Sequence, residues 1–440
     1  MKRNICLITV LALCVCLSGC FLDPAENLYA VPKQSASFYN LNSAIERVMS
    51  DGTSYSPPVS GENQQAVQMA DLDGDRDDEA IVYLKSDGDK PLSLCVFDKI
   101  DESYRLLARI DGVGNGFDQA QYVPFDDREG NEIVVGRRLG DGVTQVLSVL
   151  SIQDGALTEL INTPYYEFIT ADLNTDGLRD VVLLHQEATA QNGVAVYYRW
   201  ADGQPVRELE AELSTPVSAI KRLVTGRMCE GVPAVFVASA YGEGKIVTDI
   251  FGLRDNAFAN LTVSDDTDTG VQTVREYYVY SSDIDLDGYI ELPRLLPMPS
   301  LPDDESSNNQ SLIRWYNLLL SGREQDKSLT YHNYSDGWYL TVPEDWSDRL
   351  AVTNFTAFGS TRGYRFVDVE SKESIFSIIA ISNENAASAV KSSDWSELAQ
   401  KGETTYACLL GEAAQRYGLD VPTLRKLFQF IRIDWNTGET

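Results

Sequence analysis

The chain has 440 residues and a formal charge of −30, from 66 acidic and 36 basic side chains. So acidic a surface repels nucleic acid and anionic headgroups and attracts cations, which excludes a nucleic-acid partner. At 43% hydrophobic and 10% aromatic residues, the chain is too apolar to be disordered and long enough for more than one core.

Lys2 and Arg3 precede the apolar run Ile5 to Leu17. A basic start, a short apolar core and a small-residue exit make a secretory leader, too short for the ~20 apolar residues of a membrane-spanning helix. The run ends in Leu17-Ser18-Gly19-Cys20, which resembles the lipobox of bacterial lipoproteins. The resemblance implies cleavage before Cys20 and a diacylglycerol on its thiol. The mature protein would then sit on the extracytoplasmic face of the cell membrane, anchored by lipid alone. Residues 1–19 are thus read as leader and 20–36 as lipidated cysteine and tether. Within 37–61, Phe38, Leu41, Ile45 and Val48 follow helical spacing and predict one amphipathic helix. The other mature cysteines, Cys95, Cys229 and Cys408, are too scattered for a disulfide framework, and Cys95 reads as a small buried hydrophobe.

A nine-residue pattern then occurs three times, at Asp71–Glu79, Asp172–Asp180 and Asp283–Glu291. Oxygen-bearing side chains occupy positions 1, 3, 5 and 9 of each copy. They are Asp71, Asp73, Asp75 and Glu79, then Asp172, Asn174, Asp176 and Asp180, then Asp283, Asp285, Asp287 and Glu291. Calcium takes roughly six to eight oxygen ligands, and alternate residues of a tight loop can converge on one ion. A backbone carbonyl at position 7, from Asp77, Leu178 and Tyr289, would complete each set. Position 6 is Gly177 or Gly288 in two copies, while the first has Arg76 there and its glycine at Gly74.

An EF-hand would need a glutamate at position 12 and flanking helices. Here β-forming runs follow instead, such as Ala80-Ile81-Val82-Tyr83 and Val181-Val182-Leu183-Leu184. A calcium loop feeding a strand resembles the FG-GAP (VCBS) repeat, the blade of integrin-alpha-type β-propellers. The third copy departs from it, because Leu292-Pro293-Arg294 follows and proline cannot donate within a central strand.

Successive loops start about two blade lengths apart, so each gap should hold a degenerate blade. Asp126–Glu132 before Ile133-Val134-Val135 and Thr225–Gly231 before Ala234-Val235-Phe236-Val237 fill these places. The expected fold is mainly β, a five-bladed propeller over 62–330 with calcium-binding blade loops, six or seven blades being the alternatives. Beyond it, 331–440 reads as a small C-terminal α+β domain. Its strands are Trp338–Val342, Ala351–Ala357, Tyr364–Val369 and Ile375–Ile381; a final helix starts at Asp420 with an apolar face of Leu424, Leu427, Phe428 and Ile431. The stretch Ser335–Pro343 resembles the start of a C-terminal domain in uncharacterised lipoproteins of Gram-positive anaerobes, which also share the N-terminal helix and an Asp-Leu-Asp-Gly-Asp loop.

The only histidines, His185 and His332, both read as structural, and no nucleophile elbow, phosphate loop or zinc motif is present. Dense aromatics, such as Tyr197-Tyr198-Arg199-Trp200 and Trp315-Tyr316, suit blade packing, with some members available for recognition. The expected function is therefore a non-enzymatic, calcium-stabilised, monomeric surface lipoprotein that binds a protein or glycan. The alternative is a surface polysaccharide hydrolase or lyase using carboxylates or tyrosines of a propeller face.

Overall fold

Strand after strand along this chain is apolar on both faces, which requires cover on both sides. The computed structural model describes residues 36–432 apart from 102, 141–144, 154, 264–270, 277–278, 383–389 and 391. The leader, Cys20 and the tether lie outside the described residues.

Six antiparallel sheets follow one another in chain order. The first holds Ser54–Tyr55, Val67–Ala70, Glu79–Lys85, Leu92–Ile100 and Ser103–Gly112. The second is Gly116–Val123, Glu132–Arg138, Gln145–Gln153 and Ala156–Tyr165. The third is Glu167–Ala171, Asp180–His185, Val194–Ala201 and Gln204–Glu212. The fourth is Ile220–Arg227, Pro233–Ala240, Lys245–Arg254 and Ala257–Asn260, with Arg275–Glu276 added. The fifth is Leu292–Pro297, Ser311–Leu318, Glu324–Asn333, Trp338–Val342 and Phe428–Phe430. In the sixth, Ser396–Lys401 lies outside Thr404–Leu410, after Leu350–Ala357, Thr361–Asp368 and Ser374–Ile381.

Alternation of side chains across each strand explains the stacking. In the first sheet Ile81 and Tyr83 pack on Phe117, Ile133 and Val135 of the second. The intervening Ala80, Val82 and Leu84 turn to the other face and meet Leu41, Ala44 and Ile45 of the helix α1 (Ala36–Val48). Likewise Val181 and Leu183 face the second sheet while Val182 and Leu184 face the fourth. Apolar clusters so join each sheet to the next, through Phe236 and Tyr316 between fourth and fifth and through Trp338 and Phe366 between fifth and sixth. Each fully buried Ile or Leu contributes roughly 1.5–3 kcal/mol. Among the described residues no such cluster joins the sixth sheet to the first. The outer face of the sixth packs on Val390 and Trp395.

The chain makes six sheets, five of them drawn mostly from the 62–330 range and the sixth from the C-terminal region. Two expectations change. The boundary expected at residue 330 falls within Glu324–Asn333, whose Leu329 and Tyr331 pack into the same core as Phe366 and Phe376. Residues up to 342 therefore complete the fifth sheet instead of opening a separate α+β domain. The final helix α2 (Val421–Leu427) begins as expected, with the Asp420 carboxylate accepting from the Thr423 amide at 2.8 Å. It stops earlier, however, because Phe428–Phe430 pairs with Trp338–Leu340 and closes the edge of the fifth sheet. The proline after the third loop is accommodated: Pro293 sits on the edge strand Leu292–Pro297, and the strand before the loop shrinks to a single bridge, Ser282 to Glu291.

Candidate metal-binding loops

In the first and third sheets the aspartate loop joins paired neighbours, Val67–Ala70 to Glu79–Lys85 and Glu167–Ala171 to Asp180–His185, and in the fifth it lies within the Ser282–Glu291 bridge before Leu292–Pro297. The three share one set of hydrogen bonds. The position-1 carboxylate accepts from the position-6 amide, as in Arg76 to Asp71 (3.1 Å), Gly177 to Asp172 (3.0 Å) and Gly288 to Asp283 (2.9 Å). The position-5 carboxylate accepts from the position-7 amide, from Asp77 to Asp75 (2.8 Å), Leu178 to Asp176 (2.8 Å) and Tyr289 to Asp287 (3.0 Å). Position 9 reaches back to the position-2 amide: Glu79 to Leu72 at 2.7 Å, Asp180 to Leu173 at 3.1 Å, Glu291 to Ile284 at 3.1 Å. An apolar residue at position 2 buries this last bond.

Left-handed backbone is needed at both positions 4 and 6 of every copy, where φ is +85° and +74° for Gly74 and Arg76, +62° and +91° for Thr175 and Gly177, and +67° and +90° for Leu286 and Gly288. A glycine takes one of the two places each time. Arg76, Thr175 and Leu286 bear the strain at the other, so the first loop turns like its fellows despite Arg76 at position 6.

Carboxylate oxygens of Asp71, Asp73 and Glu79 lie within 4.8 Å of one another, and so do those of Asp283, Asp285 and Glu291. Glu79 and Glu291 are both fully buried, and in each the Oε1 atom has no hydrogen-bond partner among the described residues. Burial pushes both carboxyl groups up to about 7, against the lowering effect of the position-2 amide. A buried carboxylate oxygen without a donor costs about 1–3 kcal/mol, which a cation at the centre of the cluster would offset. All-oxygen donors in a flexible loop suit a hard divalent ion such as calcium. In the third-sheet loop Asp172 Oδ1 is the buried atom without a partner, while the shorter Asp180 also takes the Tyr197 hydroxyl at 2.8 Å and is raised by burial to about 6. There Asn174 stands at position 3 and donates to Asp176 at 2.7 Å.

Two basic residues escape a reading based on acids. In the second sheet Glu132 holds the Phe125 amide at 3.0 Å, the same position-9 to position-2 bond. Where the other loops carry an aspartate at position 5, this one carries Arg128, 2.6 Å from Asp126 and 3.2 Å from Glu132 Oε1. The oxygen left without a donor in Glu79 and Glu291 is thus met by a guanidinium here. An apolar residue at position 2 with an acid seven residues later is the signal that could have revealed it. In the fifth sheet Lys327 lies 3.1 Å from Asp285 and also bonds Asp287. Its sequence distance of 40 residues hides this contact.

His332 is buried against Trp315, Tyr334 and Tyr339, and burial lowers it to about 3. Tyr197, Trp200, Trp315 and Tyr316 are all buried. Cys95 and Cys408 are buried, Cys229 partly so, and none of them is paired.

No protein-family profile and no curated protein matches the chain. Among solved structures, the exotype rhamnogalacturonan lyase YesX aligns at 11% identity over 81% of this chain and 72% of that one, with a TM-score of 0.31. A rhamnogalacturonan lyase of Bacillus licheniformis gives 13% identity over 73% and 71%, with a TM-score of 0.30. An exo-β-1,3-galactanase of Phanerochaete chrysosporium gives 10% over 78% and 81%, with a TM-score of 0.25. Likeness at these scores carries no argument about fold or activity.

Proposed function

We propose that this is an exported protein, lipid-anchored through Cys20, in which calcium held by three loops stabilises a propeller-like stack of sheets that binds a surface protein or glycan. The observation that carries the calcium reading is the pair of buried, donorless oxygens on Glu79 and Glu291, each facing further carboxylates in a loop of repeated geometry. Aspartates 71, 172 and 283 would supply position 1, and the carbonyls of Asp77, Leu178 and Tyr289 the seventh-position ligand. Calcium here is structural: an ion bound only by the native state stabilises it by RT ln(1 + [L]/Kd). Serial stacking of four- and five-stranded sheets supports the propeller reading, and ring closure is part of the proposal. No helix among the described residues is long and apolar enough to cross a membrane.

The test is thermal unfolding of the protein from residue 21 onward, in EDTA, in millimolar calcium and in magnesium. Calcium should raise the melting temperature by several degrees where magnesium does not, and Asp176→Ala should reduce that gain. Equal melts in all three solutions would remove the metal reading. Membrane fractionation of the Cys20→Ala protein tests the anchor: it should become soluble.

An enzymatic alternative draws on one carboxylate pair outside the loops. Burial and the nearby Asp118 raise Glu167 to about 7, and Asp118 accepts from the Tyr165 hydroxyl at 2.8 Å. A carboxyl raised in this way beside a second acid would suit polysaccharide hydrolysis or lysis.

A further inference from the structure

We propose that the cleft between the first and second sheets binds a small amphipathic monocarboxylate, with Arg137 receiving the carboxylate. The cleft has a volume of about 280 Å³, at the small end of ligand pockets. It opens at the strand ends away from the aspartate loops: Leu92 pairs with Lys85 and Gly112, and Arg137 with Phe117 and Val146. It is therefore separate from the cation loops and does not depend on their occupancy.

The first two sheets meet mainly through an apolar cluster, so the Arg137 guanidinium lies between them at a desolvation cost. The Arg137 side chain keeps only 12% of its exposure. Its Nη2 donates to the Ser148 hydroxyl at 2.9 Å and lies 3.7 Å from Glu159, to which Ser148 donates at 2.6 Å. Both contacts use a single nitrogen of the fork. The other terminal nitrogen, Nη1, rests over Gly112, where a Cβ would come within 2.1 Å of it. Glycine at 112 is what lets the guanidinium lie in the cleft. Desolvation lowers its pKa, so an added anionic partner would relieve the charge.

The rest of the lining sets the ligand's shape and charge. Leu94, Phe117, Val135 and Leu150 form a buried apolar wall, while Val113 and Leu139 at the mouth are 49% and 40% exposed. Lys90 lies at the cleft, and Asp111 is already bonded by Arg109 at 2.7 Å. Among the lining charges Lys90 and Arg137 equal Asp111 and Glu159 in number, but both acids already accept bonds, Asp111 from Arg109 and Glu159 from Ser148, which leaves the cations to a monoanion. A planar carboxylate fits the guanidinium fork, and an apolar body fits the wall.

Calorimetric titration of the calcium-loaded protein with 3-phenylpropionate, and separately with 3-phenylpropionamide, tests this. The acid should bind in roughly the millimolar range or better, and at least about tenfold more tightly than the amide. Arg137→Gln should abolish that preference. Leu139→Asp, at an exposed position that leaves the fold intact, should weaken the acid by about tenfold or more by placing a like charge at the mouth. Absence of binding by the acid, equal binding of acid and amide, or undiminished binding to Leu139→Asp would each overturn the proposal. The Leu139 variant decides the matter even if Arg137→Gln fails to fold.

Discussion

Glu79, Asp180 and Glu291 each fasten a loop to its own first turn, and what completes their remaining valence differs from loop to loop. In the second sheet the completing group is the Arg128 guanidinium. Arg128→Ala should therefore lower stability by about 1–3 kcal/mol, the cost of a buried polar group left without its partner. Differential scanning calorimetry should show that loss in EDTA and its partial recovery in calcium, since the bared Asp126 and Glu132 become ligands. Recovery absent at every calcium concentration would deny the guanidinium its cation-like place. Lys327 acts in the opposite sense, because its ammonium competes for Asp285 and Asp287. Removing one partly exposed ion pair is worth about 1 kcal/mol, so Lys327→Gln should tighten calcium at the fifth-sheet loop about fivefold. Isothermal titration checks this; an unchanged or weaker site contradicts it.

At the scale of elements, the sixth sheet is fastened by a carboxylate that is also fully buried but richly bonded. Asp368 accepts from Tyr417 (2.6 Å), Arg349 (2.7 Å) and the amides of Ser371 (2.9 Å) and Glu370 (3.0 Å). Burial alone would raise its pKa, but these donors outweigh it and hold the group well below its usual 3.8. A depressed folded-state value contributes stability above the unfolded pKa, and that contribution is lost as pH falls through 3.8 and below. Asp368→Asn should accordingly destabilise the protein at pH 7, by about 1–3 kcal/mol, with the difference from wild type shrinking toward pH 3. Urea unfolding at the two pH values measures it, and an equal difference at both would refute the bonding role. Strands with dense β-branched and apolar runs, such as Glu79–Lys85 and Ser374–Ile381, were readable locally. The end of α2 was not, because Phe428 leaves the helix to pair with Leu340, 88 residues earlier in the chain.

For the whole molecule, serial packing means that each sheet depends chiefly on the sheets adjacent to it, and the loops lie in alternate members of the stack. Removal of calcium should then raise amide hydrogen exchange first in the first, third and fifth sheets. The fourth sheet, whose turn Thr225–Gly231 carries no acidic cluster, and the sixth should respond less. Hydrogen-exchange mass spectrometry with and without EDTA separates this from a uniform loosening, which would imply that the ions act on the stack as one unit.

The three loops could be located from sequence because their chemistry is local: nine residues contain the turn, the acids and the backbone bonds that orient them. The strand runs were legible for the same reason, since burial on both faces demands unbroken apolar residues. Tertiary structure alone decided the rest. It extended the fifth sheet across residue 330, packed the C-terminal strands onto it as a sixth sheet, brought Lys327 to Asp285 and set Arg137 into a cleft between sheets. Each of these depends on contacts between residues far apart in the chain, whose pairing is fixed by which faces can bury one another rather than by any short stretch of sequence.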